Sequence, residues 1–213
     1  DWGGAQLGSC VGPAGDVNGD GYADVLAGAP SYTNGQTNEG AAYLYQGQAN
    51  GLGTANWTQQ SNYAGYRFGE TVAAAGDVNG DGYGDVIVGA PGGNRAYILI
   101  GGPGVPASAP AWVVESNQPN FGFGRQVAPA GDVNGDGYAD VIVGSSYQSG
   151  GDDASGAGVS DGRVDVFYGS ADGLATTPDW TMTADQSAAC YGIGVASAGD
   201  VNGDGYADVI VGD

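Results

Sequence analysis

The chain has no histidine and no lysine, and its only basic side chains are four arginines in 213 residues. It holds two cysteines, Cys10 and Cys190, and one methionine. Without histidine or lysine, and with the cysteines far apart, the usual nucleophile–base pairs are missing. A pair of carboxylates could still cleave a glycosidic bond, but half of the 24 acidic residues fall in four repeated loops. The expectation is a protein that is not an enzyme. Scattered arginines neutralise few phosphates, so nucleic acid is excluded as a partner, and anionic membrane surfaces are disfavoured on the same ground. No apolar run is long enough for membrane insertion, and the first residues lack a basic, apolar secretion signal. Two cysteines define no disulfide framework.

Glycine is abundant instead, at 44 residues, with 13 tyrosines and 41% hydrophobic residues. There is no collagen-like triplet, and the apolar share is too high for a disordered chain. No helical period of useful length appears. The composition therefore predicts an all-β chain with many turns. A formal charge of −20 would make a compact fold repel itself, and one divalent cation per loop would bring it to −12.

An internal repeat organises the chain. GDVNGDGYADVLAG at Gly15–Gly28 returns, with small changes, at Gly76–Gly89, Gly131–Gly144 and Gly199–Gly212. Before each copy stands an aromatic residue or leucine followed by glycine: Leu7-Gly8, Phe68-Gly69, Phe123-Gly124 and Tyr191-Gly192. After it come an apolar run such as Val86-Ile87-Val88, then an aromatic and β-branched stretch such as Ala96–Ile100. A tryptophan (Trp57, Trp112, Trp180) closes the unit, 20 residues before the next leading aspartate. Four short β-rich runs per unit predict one four-stranded sheet per unit. Units at 5–60, 65–116, 121–184 and a partial 189–213 make one propeller segment over 1–213, with the tryptophans filling the space between blades.

The FG…GDVNGDGYADVIVGAP unit resembles the FG-GAP repeat of integrin α-chain propellers and their bacterial relatives, and the likeness runs through the whole chain. The resemblance implies a seven-bladed ring, of which about three and a half blades are present, with calcium in the hairpin between the first and second strands. Departures are Leu7 for Phe, Ser145-Ser146 for Ala-Pro, and Asp213 where Ala is expected.

Within the first loop, oxygen-bearing side chains fall at alternate positions, Asp16, Asn18 and Asp20, then Asp24, with the Tyr22 carbonyl between. The set recurs as Asp77, Asn79, Asp81, Tyr83, Asp85; as Asp132, Asn134, Asp136, Tyr138, Asp140; and as Asp200, Asn202, Asp204, Tyr206, Asp208. Hard oxygen donors in this number suit Ca2+, at four sites, better than Mg2+, which keeps water and demands a tighter octahedron. An EF-hand would need glutamate at position 12, where Ala27, Val88, Val143 and Val211 stand. The calcium is expected to be structural.

If these loops join first and second strands, the second-to-third connections lie on the opposite face, and these vary most. A protein or glycan ligand is expected there, since variable loops on a rigid scaffold carry recognition. Tyr32, Asn34 and Glu39 in the first such loop are candidates. So are Tyr147, Asp152, Asp153 and Asp161 in the long loop Ser145–Gly162, which otherwise reads as a solvated insertion. The expected function is an extracellular (secreted or cell-surface) adhesion, protein-recognition or scaffold module. A calcium-dependent or calcium-stabilised lectin is the alternative, and an accessory domain of a secreted polysaccharide-degrading enzyme a remoter one. The half-blade suggests either a piece of a longer chain or a homodimer completing the ring, for which Cys10 and Cys190 could form an interchain disulfide.

Overall fold

The computed structural model describes residues 4–116, 122–146, 162–185 and 190–213. Blade 1 is an antiparallel sheet of β1 (Val11–Gly15), β2 (Asp24–Ala29), β3 (Ala41–Gln48) and β4 (Gly51–Gln60). Blade 2 repeats it with β5 (Thr71–Gly76), β6 (Asp85–Ala90), β7 (Arg95–Leu99) and β8 (Trp112–Glu115). Blade 3 comprises β9 (Phe123–Gly131), β10 (Asp140–Ser145), β11 (Arg163–Phe167) and β12 (Trp180–Thr183), and a last pair is β13 (Gly194–Gly199) with β14 (Asp208–Gly212). The first strands pack consecutively, β1 on β5, β5 on β9 and β9 on β13, which sets the sheets side by side as in a partial β-propeller. The only helical element among the described residues is a single 3-10 turn, Pro91–Gly93.

Each inner sheet is covered on both faces, which is why the second strands read as unbroken apolar runs rather than alternating ones. Val86 and Val88 face blade 1, in a cluster with Leu26, Leu44, Trp57 and Phe68. Ile87 faces blade 3, with Trp112, Val143 and Phe167. The tryptophan expectation holds at two positions. Trp57 and Trp112 are buried between blades, and the Trp112 ring meets Phe167 edge-on at 5.0 Å. Trp180 differs, at 36% exposure, because the two strands of the last pair do not cover it.

Two glycines per unit set the blade spacing. A Cβ on Gly28 would overlap the carbonyl oxygen of Gly69, and one on Gly89 that of Gly124. Gly69 itself is at φ +83° and lies against the Ala41 carbonyl. These are backbone-to-backbone approaches that no side chain fits, so the Phe-Gly of one blade docks onto the second-strand glycine of the blade before it.

Candidate metal centre

The Asp-rich segments are the hairpins joining β1 to β2, β5 to β6, β9 to β10 and β13 to β14. Each is built around its leading aspartate, whose carboxylate accepts three backbone N–H groups. Asp16 takes those of Gly19, Asp20 and Gly21, and the four copies do so at 2.7–3.1 Å. Asn18 Oδ1 accepts the Asp20 N–H, and Asn18 Nδ2 donates to Asp20 Oδ2 at 2.8 Å. Asp20 Oδ1 accepts the Tyr22 N–H at 2.9 Å. Side-chain acceptors thus hold the N–H groups that a bare loop would leave to water. Gly19 and Gly21 sit at φ +73° and +88°, so the chain can curl over the first carboxylate.

Hydrogen bonds thus link positions 1, 3 and 5, and the position-9 carboxylate holds backbone N–H groups of its own. Asp24 is buried and accepts the Val17 N–H at 3.0 Å and the Gly47 N–H at 2.8 Å. Asp85 does the same with Val78 and Gly101, and Asp140 with Val133 and Gly169. In the first three units this carboxylate ties the hairpin to the end of the third strand, while Asp208 of the fourth holds the Val201 N–H of its own hairpin. Among the described residues no three acidic side chains converge into a ready metal cluster, because these hydrogen bonds orient them.

The electrostatics are one-sided. The described ion pairs are Arg67–Glu70, Arg95–Glu115 and Arg163–Asp165, and none involves a hairpin. Burial pushes the Asp85 carboxyl up to about 6, against the pull of the Gly101 and Val78 N–H groups, with Asp81 and Asp77 adding repulsion. Asp140 is raised for the same first reason. Asp200, fully exposed, is lowered, chiefly by the Gly205 N–H. The donor set of each hairpin (three carboxylates, an amide oxygen and a carbonyl) is of the hard kind Ca2+ takes; of about four lone-pair sites per carboxylate the leading aspartate has three engaged by N–H groups, and Asp24 two. The residues fit that ion.

Sequence reasoning missed how the hairpins contact each other. The Asp16 carbonyl accepts the Gly84 N–H of the next hairpin at 2.9 Å, and Asp77 and Asp132 accept those of Ala139 and Ala207. The Val17 carbonyl accepts Gly102 N–H at 2.8 Å. The Tyr83 ring lies on Gly19, where a Cβ would stand 2.8 Å from its Cε1; Tyr138 covers Gly80 and Tyr206 covers Gly135 in the same way. The signal was there in the tyrosine repeated at position 7, although its partner lies in another blade.

On the opposite face the connections are unlike one another. Glu39 is fully buried; one of its oxygens accepts the Asn34 N–H and the other has no partner among the described residues. Tyr32 meets Tyr43 edge-on at 6.3 Å. Tyr63 and Tyr66 stack at 4.8 Å beside the Arg95 guanidinium. Blade 3 departs at its root. Ser145, Ser146 and Asp165 stand at the register positions that Ala90, Pro91 and Tyr97 hold in blade 2, and their Ser Oγ atoms and Asp165 Oδ2 are buried without partners among the described residues. Tyr147, Asp152, Asp153 and Asp161 lie outside the described residues. Cys10 accepts the Val72 N–H at the blade 1–2 junction, and Cys190 lies at the far end of the array. Among the described residues no helix is long and apolar enough to cross a membrane.

Comparison with known proteins agrees with this geometry. The FG-GAP repeat pattern matches residues 11–45, 68–105 and 123–167, more than half of the chain. Integrin alpha-PS2 of Drosophila melanogaster is 36% identical over 67% of this chain and 12% of its own length. Integrin alpha pat-2 of Caenorhabditis briggsae is 33% identical, covering 93% of this chain and 17% of the relative. Human integrin alpha-IIb is 30% identical over 93% of this chain and 19% of its own. The chain thus spans less than a fifth of these relatives. Among solved structures, rhamnogalacturonan lyase YesW superposes with a TM-score of 0.57 at 16% identity, over 94% of this chain and 39% of the lyase, a likeness of fold alone. With its repeats, its blade-spacing glycines and these relatives in agreement, the chain belongs to the FG-GAP repeat family.

Proposed function

We propose that this chain is a calcium-stabilised segment of an extracellular propeller that recognises protein partners, as an adhesion or scaffold module rather than a catalyst. The observation that supports the metal reading best is the four-fold recurrence of a hairpin with three carboxylates and no described cationic partner. Calcium would be held by the side chains at positions 1, 3, 5 and 9 and the carbonyl at position 7. It would neutralise charges that otherwise repel at short range. The chain's own contribution is to pre-orient these oxygens with backbone N–H groups. Calcium demand fits an extracellular setting, where that ion is abundant.

Protein recognition rests on the integrin kinship and on the division between the faces. The hairpin face repeats, whereas the opposite face offers a different surface at each blade, including the Tyr63–Tyr66–Arg95 group, a composition common at interface hot spots.

Native mass spectrometry and thermal melting of the chain, with calcium and with EDTA, test the reading. Four bound calcium ions per chain and a melting temperature lowered by ~10 °C or more on chelation are expected. No bound calcium, with the same melt in EDTA, would overturn it. The same spectra count chains, so a two-chain species with eight ions would identify a homodimer.

A further inference from the structure

We infer that the tyrosine at position 7 of each hairpin is a positioning residue for the calcium site of the preceding blade, so that the sites are coupled in series. This rests on the calcium reading proposed above. Tyr83, Tyr138 and Tyr206 contribute to their own hairpins only through the backbone: the N–H is held by Asp81, Asp136 and Asp204, and the carbonyl is the candidate ligand. Their side chains leave the home hairpin and close over the previous one.

The contact falls where it matters for the ligands. Gly19 follows Asn18 and precedes Asp20, so the Tyr83 ring packs on the backbone between two oxygen donors of loop 1. The ring edge is close enough that Gly19 cannot carry a side chain, and its φ of +73° is one that L residues rarely adopt. The adjoining Gly84 N–H fixes the Asp16 carbonyl at 2.9 Å, one residue group away from the leading carboxylate. The same pair of contacts, ring on glycine and N–H on aspartate carbonyl, is repeated between loops 2 and 3 and between loops 3 and 4. Loop 1 receives a ring from Tyr83 yet gives none to a described hairpin, while loop 4 gives one through Tyr206 and receives none from a described residue.

Three consequences follow. A loop ordered by its ion holds its tyrosine still, which orders the glycine turn before it. That turn then binds calcium with less ordering cost, which is positive coupling between sites. The coupling runs through side chains that are not themselves ligands, and it can be cut without altering any ligand set.

The test is a calcium titration of the whole chain followed by native mass spectrometry, which counts ions per molecule. Wild type is compared with Tyr83→Ala, Tyr83→Phe, Asp16→Ala and the Asp16→Ala/Tyr83→Ala pair. Tyr83→Ala should bind its fourth ion at about tenfold higher calcium, the scale of a typical coupling between sites. Tyr83→Phe, which keeps the ring, should match wild type. In the Asp16→Ala background, where loop 1 is already disabled, Tyr83→Ala should leave the remaining three-ion occupancy unchanged. A ring that merely supports the fold would weaken occupancy in both backgrounds, and that outcome, or an unchanged isotherm in Tyr83→Ala, overturns the inference while the calcium reading stands. A wild-type chain that binds no calcium overturns both.

Discussion

The two faces of this propeller segment obey different rules. On the hairpin face each loop is shaped by side-chain acceptors that take N–H groups five or fewer residues away, and the four copies reproduce one another's hydrogen bonds. On the opposite face each connection has its own chemistry: a buried glutamate in blade 1, a tyrosine stack on arginine in blade 2, and serine hydroxyls with no partner among the described residues in blade 3. Local chemistry repeated four times gives a surface that cannot vary without loss. Connections held by unrelated partners can diverge, because no shared geometry constrains them.

Substitutions that set the repeated contacts against the connections that vary sharpen this contrast. The largest effect is expected between two glycines. Gly89→Ala drives a Cβ into the Gly124 carbonyl and should cost about 3 kcal/mol or more in urea unfolding. Gly35→Ala, on the opposite face, meets open space and pays only for its φ of +98°, about 1 kcal/mol. Equal losses would erase the distinction. Next come two charged groups. Asp85→Ala strands the N–H groups of Val78 and Gly101 inside the blade, for about 2–4 kcal/mol. Arg95→Ala, which breaks a bridge to the half-exposed Glu115 and the contact with two tyrosines, should cost about 1 kcal/mol in the same assay. The smallest effect belongs to Ser145→Ala. It removes a buried hydroxyl with no partner, so stability should stay within about 0.5 kcal/mol or rise slightly; a loss near 2 kcal/mol would mean that the hydroxyl is satisfied after all.

The hairpins and blades were legible in the sequence because their determinants are local. Gly19 and Gly21 announce a turn, Asp16 and Asn18 its acceptors, and the run Val86-Ile87-Val88 a strand covered on both sides. What sequence could not show is what lies opposite. Nothing in residues 80–84 names Gly19 as the seat of Tyr83, since the two are brought together only when sheets stack. From sequence, Asp24, Asp85 and Asp140 read as ligands and nothing more. Their N–H partners at Gly47, Gly101 and Gly169 lie 16 to 29 residues away and depend on the third strand. The burial of Glu39 was equally hidden, because a glutamate in a polar loop reads as a solvated one.

The brace from the position-9 aspartate to the end of the third strand has one more implication. It fastens the chain as the outer connection begins, beside the bonds that the Gly102 and Ser170 N–H groups make to the Val17 and Val78 carbonyls of the preceding hairpins. In blade 1 that connection is a tight turn between Gln48 and Gly51, while in blade 2 it runs from Leu99 to Trp112, and the braces are alike at 2.8 Å. The rim beyond the brace is therefore where a foreign peptide could be spliced into this scaffold without the propeller registering the cargo.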